Sequence, residues 1–202
     1  MQDDATMTET ASGHGDLQAP SPWVARFADM APAGGRVLDV ACGGGRHSRL
    51  FLDLGHPVTA VDIDISGMEA LAGRKGLKLV VADLEAGAPW PFAGETFAAV
   101  VVANYLFRPL LPRMVEAVGP GGVLIYETFA LGNERFGRPR NPDFLLRPGE
   151  LLAVAAAHLR VLAYEDLIVE QPKPAAIQRI AARRESWAPY SAASAWATAG
   201  GP

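Results

Sequence analysis

Four polar residues stand at the ends of apolar runs in this sequence, in the order Asp39, Asp62, Asp83 and Asn104. Each run has the composition of a buried strand. The carboxyl ends of parallel strands share one edge of a sheet, and ligands bind there where the strand order reverses. Carboxylates at such an edge can accept hydrogen bonds from ribose hydroxyls or an amino group. The pattern therefore predicts a nucleoside-binding edge.

A glycine-rich turn joins the first of these runs to a helix that starts at Arg46. Its glycines allow backbone angles and a close ligand approach that a side chain would forbid, and helix-start amides can face a ligand. Asp62 follows Gly43 by 19 positions, which suits a carboxylate that binds ribose. A dinucleotide site of the G-x-G-x-x-G type needs a further glycine where this sequence has Ser48.

The turn fits the pattern acid, x, small, x, Gly, x, Gly, carried by Asp39, Ala41, Gly43 and Gly45. This pattern resembles the first motif of class I S-adenosylmethionine-dependent methyltransferases, with Ala41 where that family usually has glycine. Two further segments, Val81-Ala-Asp-Leu84 and Gly119-Pro-Gly-Gly122, resemble the adenine segment and the turn before strand five of that family. The resemblance covers about Trp23 to Arg183.

A narrower similarity is to the small bacterial methyltransferases of the tellurite-resistance type. It is carried by Arg46 after the glycines and by Pro148-Gly-Glu-Leu151 at a helix start.

The resemblance implies S-adenosylmethionine as cofactor and S-adenosylhomocysteine as product. It implies a set of cofactor-binding residues, in chain order Asp39, Ala41, Gly43, Gly45, Asp62, Ile63, Asp83, Leu84 and Asn104. Asp39 and the backbone of Gly43 and Gly45 would position the methionine end, and Asp62 would hold the ribose. Asp83 and Leu84 would hold adenine, and Asn104 would lie beside the sulfonium.

The elements that must position these residues alternate between strand and helix from Ser21 onwards. Crossovers of this length predict a doubly wound α/β sheet that is mostly parallel. The alternation breaks at the end, because only four residues join the strand-like runs Arg160 to Glu170 and Ala175 to Arg183. So short a link forces antiparallel pairing. We therefore expect a seven-stranded sheet with an antiparallel last strand, as the resemblance also implies.

Composition limits the remaining possibilities. With 202 residues, half of them hydrophobic, we expect one domain over residues 21–184, a disordered segment at 1–20 and a flexible tail at 185–202. A net charge of -4 and the lack of a basic stripe argue against nucleic acid or an anionic membrane as partner. The single cysteine and scattered histidines predict no metal site. The absence of a signal peptide or spanning segment predicts a cytoplasmic location.

The acceptor is less defined by the sequence than the cofactor. Glu127 and Tyr105 are the candidate bases, although a thiolate or chalcogen oxyanion would need none. Arg138 and Arg140 lie in a long, locally basic loop and are candidate ligands for an anionic small molecule. Two alternatives stay open, namely an NAD(P)-dependent oxidoreductase and a regulatory module that binds S-adenosylmethionine without catalysis. The sequence predicts no oligomeric state.

Overall fold

A computed structural model describes residues 19–171 and 173–186 of this chain. Its strands are β1 Val37–Val40, β2 Val58–Asp62, β3 Leu77–Val81, β4 Phe97–Ala103, β5 Val118–Phe129, β6 Arg160–Val169 and β7 Ala175–Arg183. They form one sheet in the order β3-β2-β1-β4-β5-β7-β6. Strands β1 to β5 pair in parallel, and β7 pairs antiparallel with both β5 and β6. The predicted seven-stranded sheet with an antiparallel last strand is confirmed.

Helices cover both faces of this sheet. The α-helices are α1 Pro22–Phe27, α2 Arg46–Asp53, α3 Leu111–Glu116 and α4 Glu150–Ala156. Short 3-10 segments occur at Ala28–Met30, Ser66–Leu71, Arg108–Leu110, Asn133–Arg135 and Pro142–Phe144. One face packs against α1, α2 and the segment Ser66–Leu71, and the other packs against α3 and α4. This arrangement confirms the doubly wound architecture.

The first helix is fixed by its cap and by a buried tryptophan. Ser21 Oγ accepts hydrogen bonds from the amides of Trp23 at 3.1 Å and Val24 at 3.4 Å, as expected for an N-cap followed by proline. Trp23 is buried, and its Nε1 donates to the carbonyl of Ile180 in β7 at 3.2 Å. These contacts hold the start of α1 over the carboxyl end of the sheet.

Two predicted elements take another form. Between β2 and β3, where the strand–helix alternation predicts a helix, the chain forms only the 3-10 segment Ser66–Leu71. Here Gly67 packs directly on the glycine turn, since a Cβ on Gly67 would lie 3.1 Å from Gly44 Cα. The expected tight turn at Gly119–Gly122 belongs instead to the irregular start of β5, whose pairing with β4 shifts register near Phe97.

Over residues 19–171 and 173–186, no helix is long and apolar enough to cross a bilayer. The expected disordered end at 1–20 lies almost wholly outside the described residues, and so does most of the expected tail at 185–202.

Candidate functional site

Two residues that flank the reversal in strand order have an unusual backbone conformation. Ala41 follows β1 with φ +52°, and Asn104 follows β4 with φ +57°. In the described part of the chain they are the only non-glycine residues at positive φ. This conformation costs about 1–2 kcal/mol for an L-residue and is concentrated at functional sites. Strain on both sides of the reversal marks this point of the sheet edge as a candidate ligand site.

The glycine turn is organised by two of its glycines in different ways. Gly43 has φ +51°, and nothing lies within 4 Å of where its Cβ would be. Its amide donates to Asp62 Oδ2 at 2.8 Å, which fixes the turn to the end of β2. Gly45 has φ +78° and faces the interior, because a Cβ there would lie 2.4 Å from Met68 Sδ and 2.8 Å from Leu71 Cδ1. Gly43 therefore faces open space, whereas Gly45 permits helix packing.

An acidic cavity of about 370 Å³ lies beyond the ends of β1, β2 and β3. It brings together five of the predicted cofactor residues, which are Ala41, Asp62, Ile63, Asp83 and Leu84. Its wall also contains Ala82, Tyr105 and Glu85. Glu85 was not predicted from the sequence. It follows the end of β3 by several positions, and no motif distinguishes it from other acidic residues in loops.

The carboxylates of this cavity are partly held by backbone amides. Asp62 Oδ1 accepts from the amide of Asp64 at 3.2 Å, and Asp83 Oδ1 accepts from the amides of Glu85 at 2.9 Å and Ala86 at 3.1 Å. Ile63 is exposed over 63% of its surface at the cavity wall. The cavity thus combines oriented hydrogen-bond acceptors with exposed apolar surface.

Tyr105 presents a buried hydroxyl between this cavity and its neighbour. Its Oη forms no hydrogen bond of good geometry in the described structure. Burial raises the pKa of Tyr105, and the nearby negative charge of Glu85 raises it further. The phenol is therefore protonated near neutral pH, which suits a hydrogen-bond donor better than the general base considered from the sequence.

Asp39 does not line any of the cavities described here. Its carboxylate is buried, and Oδ2 accepts a hydrogen bond from Ser48 Oγ of α2 at 2.6 Å. Burial raises the pKa of Asp39 to about 6, although the hydrogen bonds from Ser48 oppose this shift. The structure thus separates Asp39 from the other predicted acids, because its side chain turns toward α2 and fixes the helix that follows the glycine turn.

His47 and Cys42 are structural residues in this turn. His47 is buried, and its Nε2 accepts from the amide of Ser21 at 3.2 Å, which ties α2 to α1. Burial lowers the pKa of His47 to about 4, and the positive charge of Arg46 lowers it further. Burial raises the pKa of the Cys42 thiol, so it remains protonated and packs as a small apolar side chain, as expected from the sequence.

Asn104 lies where two further cavities meet. A central cavity of about 240 Å³ joins it to Tyr105, Phe129 and Phe144. A wide cavity of about 530 Å³ extends from Asn104 under the start of α1 to the β6–β7 connection. Gly43 and Gly45, which are also predicted cofactor residues, line none of the three cavities. Gly43 nevertheless donates a hydrogen bond to Asp62, which lines the acidic cavity.

The charged residues of the wide cavity are Arg46, Glu127, Lys173 and Arg179. Glu127 is half-buried and forms no ion pair within the described residues. Its neighbour across the sheet, Arg179, instead binds Glu165 on β6, with Nε 2.6 Å from Oε2. Arg46 was assigned to the helix start in the sequence analysis, but its position directly after the glycines could have marked it as a cavity residue.

Arg138 and Arg140 lie apart from these cavities. Both side chains are exposed, and only Pro139 between them lines the central cavity. Arg140 Nε donates to the carbonyl of Gly137 at 3.4 Å. Between them, the carbonyl of Pro139 accepts a hydrogen bond from Asn133 Nδ2 at 3.1 Å.

Arg108 fixes the rest of this long segment. Its guanidinium donates to Glu150 through Nε at 2.7 Å and Nη2 at 2.9 Å. It also donates to the carbonyls of Asp143 at 2.7 Å and Leu145 at 2.8 Å. All three guanidinium nitrogens are thus used, and Phe144 is held at the wall of the central cavity between the two bound carbonyls.

Comparison with known proteins fits this geometry. Residues 37–122, from β1 into the start of β5, match the family model described as a methyltransferase domain. The region from β1 into the start of β5 is therefore similar to a methyltransferase domain. All residues that line the acidic cavity lie within the matched range.

The chain has sequence relatives with different names. It is 31% identical over 134 residues to a malonyl-[acyl-carrier protein] O-methyltransferase of Pseudescherichia vulneris, covering 62% of this chain and 51% of that protein. It is 36% identical over 92 residues to a ribosomal protein L11 methyltransferase of Shewanella halifaxensis, covering 44% and 31%. The chain thus spans about half, or less, of the length of these relatives.

Solved structures share the fold of this chain. TehB from Haemophilus influenzae has a TM-score of 0.63 at 20% identity, over 81% of this chain and 61% of that one. The 1,6-didemethyltoxoflavin-N1-methyltransferase of Burkholderia thailandensis, solved with 1,6-didemethyltoxoflavin and S-adenosylhomocysteine, has a TM-score of 0.61 at 22% identity, over 81% and 77%. At these identities the similarity to the tellurite-resistance type is one of fold.

Proposed function

We propose that this protein transfers a methyl group from S-adenosylmethionine to a small-molecule acceptor. The observation that carries the proposal is the acidic cavity, which gathers Asp62, Asp83 and Leu84 beside the strained residue Ala41. In this proposal Asp62 binds the ribose hydroxyls, and Asp83 with the Leu84 amide binds adenine. Ile63 and Leu84 provide apolar surface for the base.

The charge of this cavity favours S-adenosylmethionine over a nicotinamide dinucleotide. Asp62, Asp83 and Glu85 are carboxylates on its wall. Like charges in a partly desolvated cleft repel each other, so the pyrophosphate of NAD(P) would be bound unfavourably there. A nucleoside whose sulfur carries a positive charge has no such penalty. The serine at position 48 in place of a third glycine supports the same choice.

The chemistry requires little of the protein beyond alignment. Bound S-adenosylmethionine supplies an electrophilic methyl group on a sulfonium. The strained backbone at Asn104 and the central and wide cavities beside it would orient an acceptor for in-line displacement. Alignment of this kind contributes up to roughly 7–11 kcal/mol in the best intramolecular reactions. Glu127, at the wall of the wide cavity, is the candidate base for an acceptor that must lose a proton.

The names of the relatives do not specify one acceptor. One sequence relative is named as a malonyl-[acyl-carrier protein] O-methyltransferase, and one structural relative as a 1,6-didemethyltoxoflavin-N1-methyltransferase. The three cavities extend over the domain edge, which supports a small molecule as acceptor here. A cytoplasmic location, which the sequence predicts, is part of the same proposal.

Calorimetry separates the proposal from its rivals. We expect S-adenosylhomocysteine to bind the protein and NADH to show no heat of binding at the same concentrations. An Asp62→Asn variant should bind S-adenosylhomocysteine roughly ten-fold more weakly, because a charge-assisted hydrogen bond becomes a neutral one. Transfer of labelled methyl groups across an acceptor panel then tests for an enzyme. Binding of NADH but not S-adenosylhomocysteine would refute the proposal, and binding without turnover would favour the regulatory module.

A further inference from the structure

The wide cavity contains two opposite charges whose side chains form no hydrogen bond or ion pair within the described residues. The Arg46 guanidinium is half-buried at the start of α2, and its charge acts on the Asp39 carboxylate only at longer range. The Glu127 side chain is half-buried at the end of β5, where only the backbone carbonyl of Glu127 is used, by the amide of Asn104. Partial burial of a charge without a partner is costly, so each side chain is suited to a ligand group of opposite character.

The remaining charges of the cavity are less suited to this role. Arg179 is occupied by Glu165, and its guanidinium carbon lies 4.7 Å from the centre of the Trp23 ring. Lys173 is exposed on the β6–β7 connection at the rim. Recognition at the interior of the cavity is therefore left to Arg46 and Glu127.

The sheet sets the separation of these two groups. Arg46 is the first residue of α2, directly after the turn that follows β1, and Glu127 lies near the end of β5. In the sheet, β4 lies between β1 and β5. Two inter-strand spacings separate the strand ends by roughly 10 Å. The surface between them is largely apolar and includes Pro22, Phe129 and Ile177. A volume of about 530 Å³ is in the range of small-molecule sites.

We propose that the wide cavity binds an acceptor of the aromatic or alicyclic carboxylic acid class whose carboxylate is held by Arg46 and whose amino or hydroxyl group donates to Glu127. A guanidinium binds a carboxylate in a planar, two-point geometry. A carboxylate side chain accepts from an N–H or O–H group at the other end of the ring. This inference rests on the proposed function and adds to it the substrate class.

The test uses 4-aminobenzoate as the probe, because it has a carboxylate and an amino group at opposite ends of one ring. Its binding to the full-length protein saturated with S-adenosylhomocysteine is measured by calorimetry, beside that of 4-aminobenzamide and benzoate. We expect 4-aminobenzoate to bind roughly ten-fold more tightly than either, since each comparison removes one charge-assisted hydrogen bond. Equal binding of the three, or no binding of any, would overturn the inference.

Variants assign the two contacts. Arg46→Gln should abolish the preference for 4-aminobenzoate over 4-aminobenzamide, and Glu127→Ala should abolish the preference over benzoate. Arg138→Gln and Arg140→Gln are matched controls, because these exposed arginines line none of the three cavities. A preference that survives Arg46→Gln, or that is lost in a control, contradicts the assignment.

The same titrations distinguish the sources of failure. If Arg46→Gln weakens S-adenosylhomocysteine and leaves the probe preference intact, Arg46 binds the carboxylate of the cofactor and the substrate class proposed here is wrong. If S-adenosylhomocysteine does not bind the unaltered protein, the proposed function itself fails. Binding of S-adenosylhomocysteine with no selectivity among the probes refutes only the present inference.

Discussion

Substitution of the two turn glycines by alanine should destabilise the protein to different degrees, with the smaller loss of stability at Gly43, where ligand binding should be weakened. Gly43 and Gly45 both have positive φ, so either alanine costs about 1 kcal/mol in backbone strain. A methyl group at Gly45 would also lie 2.4 Å from Met68 Sδ and 2.8 Å from Leu71 Cδ1. Overpacking of this kind lowers the free energy of unfolding by about a further 1–3 kcal/mol. At Gly43 no atom lies within 4 Å.

Thermal unfolding and calorimetry measure the two effects. Since 1 kcal/mol changes Tm by about 2–4 °C in a chain of this size, Gly43→Ala should lower Tm by about 2–4 °C and Gly45→Ala by roughly 4–16 °C. Gly43→Ala should nevertheless weaken the binding of S-adenosylhomocysteine by about ten-fold or more, because its methyl group would enter the open space beside the turn, where the resemblance places the methionine end of the cofactor. Equal Tm values for the two variants, or unchanged ligand affinity in Gly43→Ala, would refute this reasoning.

Three further predictions concern residues around the edge. His47 has a pKa of about 4 in the fold and 6.5 when unfolded. The stability that its neutral, buried imidazole contributes is therefore lost as the pH falls from about 6.5 to 4. In urea unfolding across this pH range, the free energy of unfolding of His47→Gln should fall by about 3 kcal/mol less than that of the unaltered protein. An equal fall in the two proteins would contradict this. Arg108→Lys should lower the free energy of unfolding by about 1–3 kcal/mol, because lysine cannot bind Glu150 at two points. An unchanged urea midpoint would contradict the stabilising role given to Arg108. Tyr105→Phe should leave the pH profile of methyl transfer unchanged, whereas loss of a rise in activity with increasing pH would identify Tyr105 as a general base.

Much of the sheet follows from the sequence because its strands are short apolar runs with clear ends. Asp62 and Asp83 could be placed at the cavity because they follow β2 and β3, where the chain leaves the sheet. Asp39 could not, since it lies within β1, and strand alternation together with a hydrogen bond from Ser48 directs it toward α2.

The acceptor side was less predictable. Loop composition directed attention to Arg138 and Arg140, but the side-chain direction in a loop depends on contacts such as that between Asn133 and Pro139. Arg46 joins Glu127 in the wide cavity only through the strand order β1-β4-β5, which local sequence does not contain. Long-range arrangement, rather than composition, determines which charges share a cavity.

The most direct measurement of the central claim is a crystal structure of the protein with S-adenosylhomocysteine. We predict the ribose hydroxyls within hydrogen-bonding distance of the Asp62 carboxylate and the adenine ring against Ile63 and Leu84, with its amino group facing Asp83. Ligand density at another edge of the sheet, or a ribose without contact to Asp62, would contradict the account.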